Sequence, residues 1–66
     1  MNNKQIASEW IRTDRNAVAA DIKRLGLGGA VEYQMDLIAD RKAAGDDRWD
    51  NISAEDMLAA MKEMAA

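Results

Sequence analysis

Apolar side chains recur every three or four residues in several segments of this chain, which is the spacing of one face of an α-helix. Within residues 3–11, such a face is formed by Ile6, Ala7, Trp10 and Ile11. An asparagine at the start of this segment can accept a hydrogen bond from a free backbone N–H group and so begin the helix. The pattern therefore predicts a short first helix over residues 3–11.

A second helix is predicted to begin after Thr13, because a threonine hydroxyl is a suitable N-cap. Val18, Ile22 and Leu25 follow at positions i, i+4 and i+7. We therefore expect these three side chains to point inward. Gly26 comes directly after them, and a glycine can adopt the left-handed conformation that ends many helices.

A third helix is predicted over residues 30–44, after a joint formed by Gly28 and Gly29 and before a stop at Gly45. It carries two separate apolar patches, formed by Val31, Met35 and Ile38 and by Ala30, Tyr33 and Leu37. A helix with two apolar sides is usually central in its fold or shared with a second subunit.

The last helix is predicted over residues 53–65. Ser53 and Asp56 have the spacing of a capping box, in which each residue's side chain bonds to the other's backbone N–H. A stripe of methionines at i, i+4 and i+7 continues the helix: Met57, Met61 and Met64. Methionine adapts to irregular surfaces, so the stripe predicts either core packing or a docking surface.

These elements predict an all-α fold, a small bundle of three to four short helices in a single domain of residues 1–66. The domain divides into a helix-turn-helix-like pair at 3–27, a central helix at 30–44 and a C-terminal helix at 53–65. Core volume is scarce, because 13 of the 66 residues are alanine and short chains bury a small share of their surface. We therefore expect a homodimer to complete the bundle.

Charge is distributed unevenly along the chain. The net charge of −3 divides into +2 for residues 1–29, with five basic and three acidic side chains, and −5 for residues 30–66, with four basic and nine acidic side chains. This division suggests two faces with different partners. It is also compatible with two halves that attract each other within the fold.

Residues 4–26 read "KQIASEW-IRTD-RNAVAADIKRLG", and this segment resembles the helix-turn-helix of small bacterial and phage DNA-binding proteins. The resemblance implies that Ala7 lies where two helices cross. It also implies that Val18 and Ile22 are the buried residues of a recognition helix.

The outward face of the second helix has side chains that suit DNA. Asparagine can pair with adenine, lysine can reach guanine or a phosphate, and alanine allows close approach to the groove. The arginines near the turn lie where phosphates would pass. The candidate nucleic-acid-binding residues are Arg12, Arg15, Asn16, Ala20, Lys23 and Arg24. Alternatively, this face is only a helix surface, since cations near a helix C-terminus complement its dipole.

A second candidate surface lies on the third helix, where Glu32, Asp36 and Asp40 follow at i, i+4 and i+8. We call these three residues the acidic ridge. Like charges at this spacing repel, so the ridge suggests a basic partner, either another protein or the arginines and lysine of the second helix; it could equally be a solvated face. The candidate protein-binding residues are the ridge with Tyr33, Leu37, Trp49, Met57, Met61 and Met64.

Several other functions find no support in the composition. The chain has no histidine and no cysteine, which removes the commonest general base and all thiol chemistry; we expect no enzyme and no cofactor. The loop "GDDRWDN" departs from the spacing of a calcium-binding loop, so we expect no metal site. No apolar run approaches the roughly 20 residues of a membrane span, and we expect a cytoplasmic protein without membrane contact.

The sequence therefore predicts a small non-enzymatic regulatory protein that binds DNA through its helix-turn-helix-like second helix. The alternative is a protein-binding inhibitor or antitoxin-like partner, comparable to a phage or plasmid accessory protein. That protein would dock on a host or cognate target through its acidic third helix and its C-terminal helix.

Overall fold

Three α-helices make up the computed structural model, which describes residues 2–65 of the chain. They are α1 (Asn3–Arg12), α2 (Arg15–Ala43) and α3 (Ala54–Ala65). No strand occurs in the described residues, so the predicted all-α class is confirmed. Within the same residues, no helix is both long enough and apolar enough to cross a membrane.

Local capping bonds define the ends of α1 and the start of α3. The Asn2 side chain accepts a bond from the Gln5 backbone N–H at 2.8 Å, and the Gln5 side chain accepts one from the Asn2 N–H at 2.9 Å. Ser53 and Asp56 form the predicted capping box, with the Ser53 hydroxyl 3.1 Å from the Asp56 nitrogen. Such caps can be predicted from the sequence because the two bonded residues lie within one helical turn of each other.

The predicted N-cap at Thr13 is wrong. Thr13 has helical backbone angles (φ −64°, ψ −27°), whereas an N-cap residue adopts a non-helical conformation. Its hydroxyl donates to the Trp10 carbonyl oxygen at 2.7 Å, so Thr13 ends α1. Asp14 precedes α2 as its N-cap and makes no side-chain capping bond.

The predicted second and third helices are the two parts of α2, which meet at a sharp kink, and the predicted break with positive φ at Gly26 is confirmed. Gly26 has φ 75° and ψ 169°, a region that essentially only glycine occupies. The predicted joint at Gly28 and Gly29 is wrong, since both residues are helical and the break is confined to Gly26. We call residues 15–25 the N-terminal arm and residues 27–43 the C-terminal arm.

Leu25 lies on the outside of the kink and not in the core as expected. Leu25 is 40% exposed, and it lies so close to Gly29 that a Cβ added there would come within 2.9 Å of the Leu25 Cβ. Of the other two residues predicted to point inward, Val18 is buried and Ile22 is half-buried. Gly29 thus allows the two arms to approach closely beside the kink.

All three helices contribute to a single core, with α3 packed against both α1 and α2. Gly45, at φ 99°, lies just beyond the end of α2, as predicted. Met57 and Met61 are fully buried in this core. The buried apolar residues are Ala7, Trp10, Ile11, Val18, Ala30, Val31, Ile38, Ile52, Met57, Ala60 and Met61. This core forms within one chain, and the homodimer stays a prediction.

The backbone of α2 leads to opposite expectations for two of its glycines. Gly26→Ala should destabilise the protein by about 1–3 kcal/mol, since alanine must occupy a strained conformation. Gly28→Ala should stabilise it by about 0.4–1 kcal/mol, because Gly28 is helical with open space at its Cβ position and alanine restricts the unfolded chain. Urea unfolding followed by circular dichroism measures both, and equal effects of the two variants would contradict the kink.

Candidate functional site

A chain of hydrogen bonds joins α1 to both arms of α2. The Trp10 indole N–H donates to Gln34 Oε1 at 2.9 Å, and Gln34 Nε2 donates to Asp21 Oδ2 at 3.1 Å. Arg24 Nη2 then donates to Asp21 Oδ1 at 2.8 Å. We call Trp10, Gln34, Asp21 and Arg24 the polar chain. Its bonds connect residues that lie on opposite sides of the kink.

The interior members of the polar chain depend on one another. Gln34 is 4% exposed and Asp21 is 9% exposed, and buried polar groups are costly unless they are hydrogen-bonded. The buried carboxylate is paired with Arg24, whose side chain is 62% exposed. Each bond therefore offsets the desolvation of a group that the fold has buried.

Asp21 and Gln34 were not among the residues predicted for a site. A signal was present, because Asp21 lies three residues after Val18 and Gln34 lies three residues after Val31. Each polar residue therefore falls on an otherwise apolar helix face. Two such residues in one short chain indicate that the two faces meet.

A groove of about 440 Å³ lies between the two arms of α2, beside the polar chain. Its walls combine apolar, aromatic and acidic side chains. The lining residues are Trp10, Thr13, Asp14, Ala17, Val18, Asp21, Tyr33, Gln34, Leu37, Asp40, Arg41 and Ala44. Three of the candidate protein-binding residues, Tyr33, Leu37 and Asp40, are therefore brought together in one concave surface.

The charge of the groove is predominantly negative. Asp14, Asp21 and Asp40 contribute carboxylates, and Arg41 contributes a guanidinium. Arg41 is already engaged, because it lies 5.0 Å from the centre of the Trp10 ring and 3.8 Å from Asp46 Oδ2. Asp14 and Asp40 form no ion pair within the described part of the chain. The groove therefore presents two uncompensated carboxylates beside apolar walls.

The other candidate protein-binding residues are distributed over the molecule. Glu32 and Asp36 are exposed on the C-terminal arm, while Trp49 and Met64 are half-buried elsewhere. The prediction that Met57 and Met61 bind a partner is wrong, because both side chains lie in the core and neither has any exposed surface. A partner could reach them only if the fold opened, so the core interpretation of the methionine stripe holds for both.

All six candidate nucleic-acid-binding residues are exposed. Arg12 pairs with Glu9 at 3.0 Å and Arg24 pairs with Asp21 at 2.8 Å. Arg15 and Lys23 take part in no ion pair with the described residues. The three residues of the acidic ridge likewise form no ion pair with the described residues. The basic side chains of the N-terminal arm therefore do not pair with the ridge.

The loop after α2 carries a second cluster of aromatic and charged groups. The rings of Trp10 and Trp49 meet edge to face with centroids 5.4 Å apart, and Arg48 lies 5.4 Å from the Trp49 ring centre. Asp46 accepts two bonds of 2.9 Å from Arg48. The Trp49 indole N–H is buried and has no hydrogen-bond partner among residues 2–65. The contact between the two tryptophan rings joins this loop to the Trp10 end of the polar chain.

Metal binding receives no geometric support in residues 2–65, where no group of three or more acidic side chains is placed to hold an ion. No protein-family model, curated protein or solved structure matches the chain. The candidate site is therefore defined by its own chemistry: an acidic, partly apolar groove whose arms are tied together by buried hydrogen bonds.

The two tryptophans should respond differently to loss of the indole N–H. Trp10→Phe leaves Gln34 Oε1 without its donor and should destabilise the protein by about 1–3 kcal/mol through the unsatisfied acceptor. Trp49→Phe removes a donor that has no partner, so we expect a smaller loss. Both variants keep an aromatic ring in place. Urea unfolding compares them, and equal losses would show that the bond from Trp10 to Gln34 adds no stability.

The bonds between Asp46 and Arg48 lead us to expect that part of the protein's stability depends on pH in the acidic range. The hydrogen bonds from Arg48 lower the pKa of Asp46 from 3.8 to about 2. A carboxyl with a lowered pKa in the folded state stabilises the protein above its ordinary pKa, and this contribution is lost as pH falls through the folded value. Asp46→Asn should therefore be less stable than wild type near neutral pH, and the difference should shrink between about pH 4 and pH 2.

Thermal melts across that pH range measure the effect of Asp46. Asp47→Asn is the matched control, because Asp47 is an exposed neighbour outside the described ion pairs and loses the same charge. A constant difference between Asp46→Asn and wild type at every pH would contradict the assignment.

Proposed function

We propose that this protein is a small non-enzymatic binding protein that docks on a basic surface of another protein. The observation that carries the proposal is the groove between the arms of α2, where apolar walls adjoin uncompensated carboxylates. Concave surfaces of this kind, with apolar area and a few placed polar groups, are the usual form of binding sites.

The acidic ridge extends the negative surface beyond the groove. Asp40 belongs to both, and Glu32 and Asp36 continue along the exposed side of the same arm. Uncompensated charges of one sign speed the encounter with a partner of opposite sign. A side chain that packs into a central pocket, away from the solvated rim, supplies most of the lasting affinity. The ridge would therefore govern association, and Tyr33 and Leu37 would govern dissociation.

A second candidate function is DNA binding through the exposed face of the N-terminal arm. It is favoured by Arg15 and Lys23, which have no described ionic partner, and by Asn16 and Ala20, which are exposed on the same arm. Phosphate neutralisation by such cations supplies most non-specific affinity for DNA. Two unpaired cations make a small footprint, so this function ranks below protein binding. The predicted cytoplasmic location applies to either.

Capture from a lysate, with and without nuclease, separates the two functions when variants are run in parallel. We expect a basic protein that is retained after nuclease treatment by wild type and by the control Glu55→Gln, which removes an exposed charge on α3. Tyr33→Ala, at a side chain 44% exposed, should lose it. With the captured protein purified, Asp36→Asn should slow association by severalfold at low salt and have little effect at high salt.

Three other outcomes of these experiments would replace or overturn the proposed docking function. Recovery only through nucleic acid, abolished by Lys23→Ala, would replace protein binding by DNA binding. A concentration-dependent dimer that Tyr33→Ala dissociates would show that the groove binds a second copy of the chain. A captured protein held equally by every groove and ridge variant would overturn the proposed docking surface.

A further inference from the structure

We infer that the groove between the arms of α2 receives one guanidinium-bearing side chain, that of an arginine on the partner. This inference rests on the proposed function and specifies its chemistry. The placement that supports it is a buried carboxylate, Asp21, in the lining of a groove whose walls are apolar and whose other carboxylates are Asp14 and Asp40.

The walls of the groove suit the stem of a long side chain. Val18, Leu37 and Ala17 supply apolar surface on the two arms, and Tyr33 adds an aromatic ring that remains 44% exposed. Arginine buries its methylene stem against such surface while its head reaches a polar partner. The guanidinium can also stack on an aromatic face.

Asp21 has acceptor capacity left for an incoming donor. A carboxylate offers about four lone-pair sites, and the structure uses one on each oxygen, for Gln34 and for Arg24. These two bonds also fix the orientation of the carboxylate before any ligand arrives. A preorganised acceptor of this kind loses little freedom on binding.

The charge balance favours a cation over a neutral group. Of the three carboxylates in the lining, Asp21 is paired with Arg24, whereas Asp14 and Asp40 form no ion pair with the described residues. The one guanidinium in the lining, from Arg41, lies over Trp10 and near Asp46. A charge pair is stronger in a partly desolvated groove than in water. Arginine is favoured over lysine because its planar fork can bond to two acceptors at once.

A short peptide isolates this recognition from the rest of the docking surface. The probe is acetyl-Ala-Arg-Ala-amide, and its control is the same peptide with citrulline, which keeps the shape of arginine without its charge. Two-dimensional NMR of the labelled full chain follows the Trp10 indole N–H and the Gln34 side-chain amide, which belong to the polar chain. The Trp49 indole N–H is an internal reference, since Trp49 does not line the groove.

We expect the arginine peptide to shift the Trp10 and Gln34 signals saturably at millimolar concentration and the Trp49 signal much less. The citrulline peptide should have no saturable effect. Asp14→Asn and Asp40→Asn should each weaken the arginine peptide by roughly fivefold, while Glu55→Gln should not. These variants change groove carboxylates outside the polar chain, so they test recognition even where a change at Asp21 would unfold the protein.

Equal shifts from the two peptides, or shifts confined to residues outside the groove, would overturn the inference. So would unchanged affinity in both aspartate variants. If a basic protein is captured through Tyr33 and Asp36 while the arginine peptide produces no shift, protein docking stands and the arginine site fails. If the peptide binds as expected but no captured protein depends on the groove, the proposed function fails and the cation site stands.

Discussion

The bond between Gln34 and Asp21 is the constraint on which the rest of the structure depends. It joins the two arms of α2 across the kink, and the same Gln34 side chain accepts the indole N–H of Trp10 from α1. Because both residues are largely buried, the loss of either partner would leave a poorly solvated polar group unsatisfied. The angle between the arms, the position of α1 and the shape of the groove thus follow from one connected set of polar groups.

This arrangement is unusual for a chain with so little core volume. A buried polar network adds less stability than apolar packing of the same volume, but it allows fewer alternative arrangements of the helices. The alanine-rich helices could pack against one another in several registers, since alanine faces are smooth. The bond from Trp10 to Gln34 restricts the register of α1 on α2, and the fully buried methionines of α3 complete the core.

The parts of the fold that could be predicted are those that depend on neighbours within one turn. The start of α1 and the Ser53 cap follow from side chains three residues apart. The break at Gly26 could be predicted, because this glycine directly follows the last apolar residue of the second helix. The helical state of Gly28 and Gly29 could not, because nothing in the local sequence separates a glycine joint from glycines inside a helix. Of the residues that line the groove, the sequence predicted Tyr33, Leu37 and Asp40 as binding residues. It did not indicate a role for Asp21, because the bonding partner of Asp21 lies 13 residues away.

Because α2 is kinked at a single residue, Gly26 can act as a pivot about which the two arms rotate relative to each other. The C-terminal arm has 17 residues and so extends about 25 Å from Gly26 at 1.5 Å per residue. A rotation of about 10° at the pivot would displace its far end by about 4 Å, whereas the Gln34 backbone, close to the pivot, would move by roughly 2 Å. A displacement at Gln34 is therefore about doubled toward the far end of the arm, where Asp40 and Arg41 line the groove.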